Sequence, residues 1–131
     1  MRIAAAILFV LLCAGVSHAQ VACKGTNAAG AVTQCSSGQT YGCTAGSVSS
    51  LMLATDGGRT SIWFQNTGNS PISLNFGDTA ATATNGFIIQ PGLPVVWTNQ
   101  WQGNTPGRVN TQKINIIATT GSSTCVFLFT Q

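Results

Sequence analysis

S-I-W-F-Q-N-T-G-N-S-P-I-S-L-N-F-G, residues 61–77, is the stretch whose reading decides the fold class. Ile62 and Phe64 alternate with Ser61, Trp63 and Gln65, and Ile72, Leu74 and Phe76 alternate with Ser73 and Asn75. A period of two puts one set of side chains on one face of a pleated strand. Between the two runs, Asn66-Thr67-Gly68-Asn69-Ser70-Pro71 supplies positive φ, local side-chain hydrogen bonds and one fixed φ, which is the chemistry of a turn. The stretch therefore predicts two strands folded back on one another as a hairpin, with Ile62, Phe64, Ile72, Leu74 and Phe76 buried. Trp63 is out of phase with that set. It faces away from the core and needs either cover from the N-terminal segment or an interface.

Outward from this stretch the chain continues as short strands divided by turn signals. Val48 to Ala54 precedes it and is closed by Thr55-Asp56-Gly57-Gly58. After it come a small-residue loop from Thr79 to Asn85, a strand at Gly86 to Gln90 and the Pro91-Gly92 turn. Leu93 to Thr98 is the next strand, and its Pro94 belongs at a strand start or a sheet edge. Asn99 to Arg108 reads as a loop. Lys113 to Ala118 (with Ile114 and Ile116 inward, Asn115 outward or bonded) and Thr124 to Thr130 close the chain. No segment has helical periodicity. About seven to eight strands at this spacing predict an all-β, antiparallel β-sandwich of jelly-roll type, and Met52 reads as core filler.

The first nineteen residues read as a signal peptide. Met1-Arg2 gives a positive start, Ile3 to Val16 an apolar run, and Ser17-His18-Ala19 a cleavage site. The run is short of the about 20 residues a membrane span needs, and Leu12 stands before Cys13 where lipoprotein signals have a small residue. The expected product starts at Gln20, is 112 residues long and carries no stable membrane insertion. Its location is periplasmic, extracellular or virion-associated.

Residues 20–50 form a Gly-, Ala-, Ser- and Thr-rich arm whose one large apolar side chain is Tyr41, and 51–131 is the sandwich proper. Such an arm buries too little surface to order itself, and the expectation is an irregular segment with one short hairpin around Gly38. Three of the four cysteines left after cleavage, Cys23, Cys35 and Cys43, lie in it, and Cys125 lies in the last strand. An even count in an exported chain predicts two disulfides that staple the arm to the domain. Zinc fits poorly, since there is no C-x-x-C pair and no histidine after cleavage. Three pairings are open. The one taken here is Cys35–Cys43 closing a short loop, with Cys23–Cys125 tying the arm to the last strand.

The charge inventory narrows function. Lys24, Arg59, Arg108 and Lys113 stand against Asp56 and Asp78, a net +2 spread along the chain, which leaves phosphate contacts of a nucleic-acid partner almost nothing to use. There is no glutamate, and the lone histidine, His18, leaves with the signal, so a serine or cysteine nucleophile has no imidazole base. Asp56 and Asp78 each adjoin glycine, where aspartate usually bonds its own backbone in preference to acting as half of a glycosidase pair. A non-enzymatic protein with no cofactor and no metal is expected.

What remains is contact. Trp97 and Trp101 stand four apart in W-T-N-Q-W-Q, with Asn99, Gln100 and Gln102 beside them. Indole faces and amides can bind a glycan; the competing reading makes Trp97 core and Trp101 a plug at one end of the sandwich. From Leu51 to Gln131 the Gly-Gly-Arg turn, Q-N-T-G-N-S-P, I-S-L-N-F-G and G-F-I-I-Q-P-G follow in order before two C-terminal strands. This order resembles the small jelly-roll domains of bacteriophage virion accessory proteins, in which an Asn-rich hairpin, a G-x-x-[IL]-x-P-G step and a closing hairpin recur. The resemblance implies a structural or attachment protein that meets other virion or surface proteins, as a monomer or a homo-oligomer. With an export signal, it also implies a particle assembled at or beyond the inner membrane. The alternative is a carbohydrate-binding module using Trp97 and Trp101.

Overall fold

The computed structural model describes residues 20–27, 30–98 and 111–131; residues 1–19, read above as a signal peptide, and the loop at Asn99 to Arg108 lie outside them. Ten strands form among the described residues: β1 (Gln20–Asn27), β2 (Gly30–Ser36), β3 (Thr40–Ala45), β4 (Ser50–Leu53), β5 (Ser61–Asn66), β6 (Ile72–Phe76), β7 (Phe87–Ile89), β8 (Pro94–Thr98), β9 (Ile114–Ala118) and β10 (Ser123–Thr130). Four antiparallel pairs nest inside one another along the chain. β3 pairs β10, β4 pairs β9, β5 pairs β8, and β6 pairs β7. Rolling this nested set over joins β10 to β5 and β9 to β6. The result is a front sheet β3-β10-β5-β8 and a back sheet β4-β9-β6-β7. That strand order is the eight-stranded jelly roll with its two Greek keys.

The period-two pattern fills the space between the sheets. Tyr41, Ile62, Phe64, Trp97, Phe127 and Phe129 point in from the front sheet, and Leu53, Ile72, Leu74, Ile89, Ile114 and Ile116 from the back. Met52 is buried with them, as core filler should be. Each such side chain contributes roughly 1.5–3 kcal/mol by leaving water. Phe76 is only half-buried, because it sits toward the side of the sandwich where β7 and β8 form the rims. Asn75 and Asn115 lie on the outer face of the back sheet and are bonded, to Thr79 O at 2.9 Å and to Gly77 O and Thr79 O at 3.1 and 3.0 Å.

Both strands expected in residues 61–77 exist, but they are not a hairpin. β5 belongs to the front sheet and β6 to the back, and they do not pair. The reason is the corner between them. Asn66 is fully buried; its amide donates to Ser70 O (2.9 Å) and Ile89 O (3.0 Å) and accepts from Gly68 N (3.1 Å) and Ser123 Oγ (3.0 Å). That satisfies both donors and both acceptor positions of the side chain. Gly68 N also donates to Thr124 O, and a Cβ at Gly68 would collide with Ser123 and Thr124. The corner is thus docked onto β10 and sends the chain across to the other sheet.

The N-terminal arm is not irregular either. It supplies β1, β2 and β3, and the turn at Gly38 (φ +76°) joins two strands that do not pair, since β1 lies between β2 and β3. This corrects the cysteine pairing as well. The disulfides are Cys23–Cys35, between β1 and β2, and Cys43–Cys125, between registered partners of β3 and β10. Cys35 and Cys43 are two strands apart, a lateral spacing of about 9–10 Å to which their offset along β1 adds, beyond the reach of a disulfide. Tyr41 anchors the arm: its ring stacks on Phe127 at 5.7 Å, and its hydroxyl accepts from Ser36 N (2.8 Å) and donates to Gln39 (3.2 Å).

Candidate functional site

The two sides of the sandwich end differently, and the difference places the candidate surface. On one side β1 reaches both sheets, through Thr26 opposite Gly42 of β3 and Cys23 opposite Leu53 of β4. Ala54 N donates to Ala22 O (2.8 Å) at the same seam. On the other side β8 ends the front sheet and β7 ends the back sheet. The Gln90 to Leu93 turn links them, but no ladder does. β8 is the edge strand that Pro94 suggested.

Between these two edges lies a cleft of about 380 Å³ lined by Phe87, Ile88, Ile89, Val95, Val96 and Trp97. Its floor is a ring cluster: Trp97 meets Phe76 at 5.3 Å and Phe87 at 5.8 Å, and Phe76 meets Phe87 at 5.6 Å, all edge-on. Trp97 is only 6% exposed. It is core, and neither face of its indole is open for a sugar to stack on. Around the cleft, Phe87, Ile88, Leu93 and Val96 remain 45–57% exposed. An exposed apolar cluster of this kind on a chain otherwise covered by neutral polar groups marks a place of contact.

Trp63 is found where its phase put it, on the outer face of the front sheet and half-buried. Cross-strand register sets Val96, Trp63, Leu128 and Thr40 in one row across β8, β5, β10 and β3. The rows beside it carry Pro94, Gln65, Val126 and Gly42, and Thr98, Ser61 and Thr130. None of these side chains is charged. β1 and β2 extend the front sheet beyond β3 and do not lie over Trp63, which is three strands away from β1. The back sheet has the opposite arrangement. There the loop 77–86 folds over the outer face, with Ser73 donating to Asn85 O and Ala81 buried against Ser49. Gly86, at φ +79°, passes so close to the Leu74 carbonyl that any Cβ would collide with it.

Asn99, Gln100, Trp101 and Gln102 lie outside the described residues, so Trp97 and Trp63 are the tryptophans the structure places. They are not brought together: Trp97 points in and Trp63 out. Sequence reasoning singled out neither Phe87, Ile88 nor Val96. The available signal was the absence of any charge from Thr79 to Thr98 across two strands, the second of which Pro94 already placed at a strand start or a sheet edge.

Asp56, Asp78, Arg59 and Lys113 sit elsewhere. Asp56 and Asp78 flank the start of β9, following β4 and β6 respectively. Asp56 accepts from Gly58 N (3.0 Å), bonding its own turn as expected, and from Gln131 Nε2 (2.8 Å). Asp78 is exposed and pairs with Lys113 at 2.9 Å, a surface pair of small energetic weight. Arg59 is buried. It donates to Ala54 O and to Gln112 O (3.0 Å), and its guanidinium lies 5.7 Å from the Phe129 ring centre. Burial pushes its pKa down from the ordinary arginine value to about 10, with Asp56 opposing the shift. The unfolded chain therefore holds that proton more tightly, and stability rises with pH only above about 10, outside any physiological window. Among the described residues no group of three or more His, Cys, Asp or Glu comes together, and no helix is long and apolar enough to cross a membrane. The two disulfides are compatible with an oxidising, exported environment. Comparison with protein-family models, with curated proteins and with solved structures finds no match to this chain.

Proposed function

We propose that this is an exported, non-enzymatic contact protein, a structural or attachment component of a larger assembly such as a phage particle or a bacterial surface. The observation that carries this reading is the uncharged apolar surface formed by the outer row Leu128–Trp63–Val96 and the open edge beside it. Large aromatic side chains at such a surface act as anchors, and losing a true anchor costs at least about 2 kcal/mol of binding. Its partners are other proteins of the same assembly, reached through apolar area and neutral hydrogen bonds. The glycan reading is weakened by the burial of Trp97.

The test is fractionation of the oxidised protein with its native particles or envelopes, wild type against Trp63→Ala. Stoichiometric co-purification that falls about 30-fold or more in affinity for Trp63→Ala supports the contact role, that being the anchor loss converted to an equilibrium constant. Monomeric protein that binds a glycan array and no protein would replace it with the lectin reading.

A further inference from the structure

Two properties of β8 set the occupant of the open edge. First, its sequence P-V-V-W-T has none of the devices by which exposed edges avoid pairing with another strand, apart from Pro94 at its first position. It has no lysine, no inward charge and no register shift against β5. Second, it is self-complementary. In an antiparallel pairing centred on Val96, Pro94 stands opposite Thr98 of a second copy, Val95 opposite Trp97, and Val96 opposite Val96. The outer row then runs Leu128–Trp63–Val96 and on through Val96–Trp63–Leu128 of the other copy without a break. The inner face meets in the same way, Val95 beside Trp97.

Charge points to the same occupant. An identical edge brought against itself normally sets like charges together and is repelled, but Thr79 to Thr98 contains no charged residue. A charged partner would find nothing in this strip to steer or pair it. β7 lies under β8, as the Phe87–Trp97 ring contact shows, so the exposed faces of Phe87 and Ile88 come to the same two-fold junction. Apolar area on both layers is covered at once, and the backbone groups of β8 that no described strand pairs are satisfied by the second copy.

We infer that a second copy of this chain adds to the β8 edge, joining two front sheets into one continuous sheet about a two-fold axis at Val96. The inference rests on the contact-protein reading and names one partner for it. A closed, isologous pair of this kind would make the building unit of the assembly a dimer.

The experiment is sedimentation equilibrium of the mature, oxidised chain over low to high micromolar concentration, with three variants. Wild type is expected to double its mass with rising concentration. Val96→Lys should stay at the mass of one chain while keeping the wild-type circular-dichroism spectrum and melting cooperatively. Val48→Lys, exposed and remote from β8, should dimerise like wild type. Val96→Cys, whose Cα faces its own copy within disulfide reach, should form a covalent dimer on mild oxidation. Wild type that remains a monomer throughout, a dimer untouched by Val96→Lys, or a Val96→Cys protein that never cross-links would each overturn the inference. A monomer that still shows Trp63-dependent co-purification with particles would overturn the dimer and leave the contact reading standing. A monomer with no protein partner would remove both.

Discussion

The closed side of the sandwich and the open side are built from opposite materials. On the closed side, β1 to β3 are strands of Gly, Ala, Ser and Thr with few large side chains, held by two disulfides and by ladders to both sheets. On the open side, β7 and β8 are rich in Phe, Ile, Val and Trp, with no disulfide and, among the described residues, no ladder between them. Where apolar area is scarce, closure is by backbone pairing of β1 with both sheets, and the disulfides tie neighbouring strands, β1 to β2 and β3 to β10. Where apolar area is plentiful, the edges are left apart, and a ring cluster, the Gln90 to Leu93 turn and the bond from Asn66 to Ile89 O hold the layers together.

The sharpest way to break that contrast is to cut the staples. Cys43–Cys125 spans 82 residues and Cys23–Cys35 spans 12. In the chain-entropy model, removing the first by paired alanine substitutions should cost about 4–5 kcal/mol, and removing the second about 3 kcal/mol. Urea unfolding of the two double variants checks this. Equal losses would mean that Cys23–Cys35 does more than close its own short loop.

On the open side the contrast is between floor and rim. Trp97→Ala removes the centre of the ring cluster and should cost about 3–5 kcal/mol, whereas Ile88→Ser, 46% exposed in the same cleft, should stay within about 0.5 kcal/mol. Thermal melts of the two variants decide the matter. An unstable Ile88→Ser protein would mean that the rim is already covered in the isolated chain.

The smallest expected effect is that of salt. With four cations and two anions from Gln20 onward and none from Thr79 to Thr98, association through the open side should change by less than about twofold between low and physiological ionic strength. A steep salt dependence would move the contact surface to Lys113, Asp78 and their neighbours.

What could be read from the residues alone is what depends on period and inventory. The alternation of Ile62 and Phe64 with Trp63 fixes which side chains go inward, whatever strand lies alongside, so the core and the outward Trp63 were legible. The four cysteines from Gln20 onward pointed to disulfides because their spacing holds no C-x-x-C pair and no histidine accompanies them, in a chain that reads as exported. The same alternation is silent on partners. A hairpin and a crossover between sheets demand the same inward faces from residues 61–77, and only Asn66, by bonding Ser70, Ile89, Gly68 and Ser123 together, selects the crossover. In Val95-Val96-Trp97 three apolar residues run together, so the phase of Trp97 came from its register opposite Ile62. β1 to β3 were hidden because small residues show no hydrophobic period; their strands exist through backbone pairing with neighbours distant in sequence. The disulfides follow from that pairing: Cys43 meets Cys125 because nesting makes the first strand of the roll the partner of the last, a relation set by the tertiary fold and not by loop length.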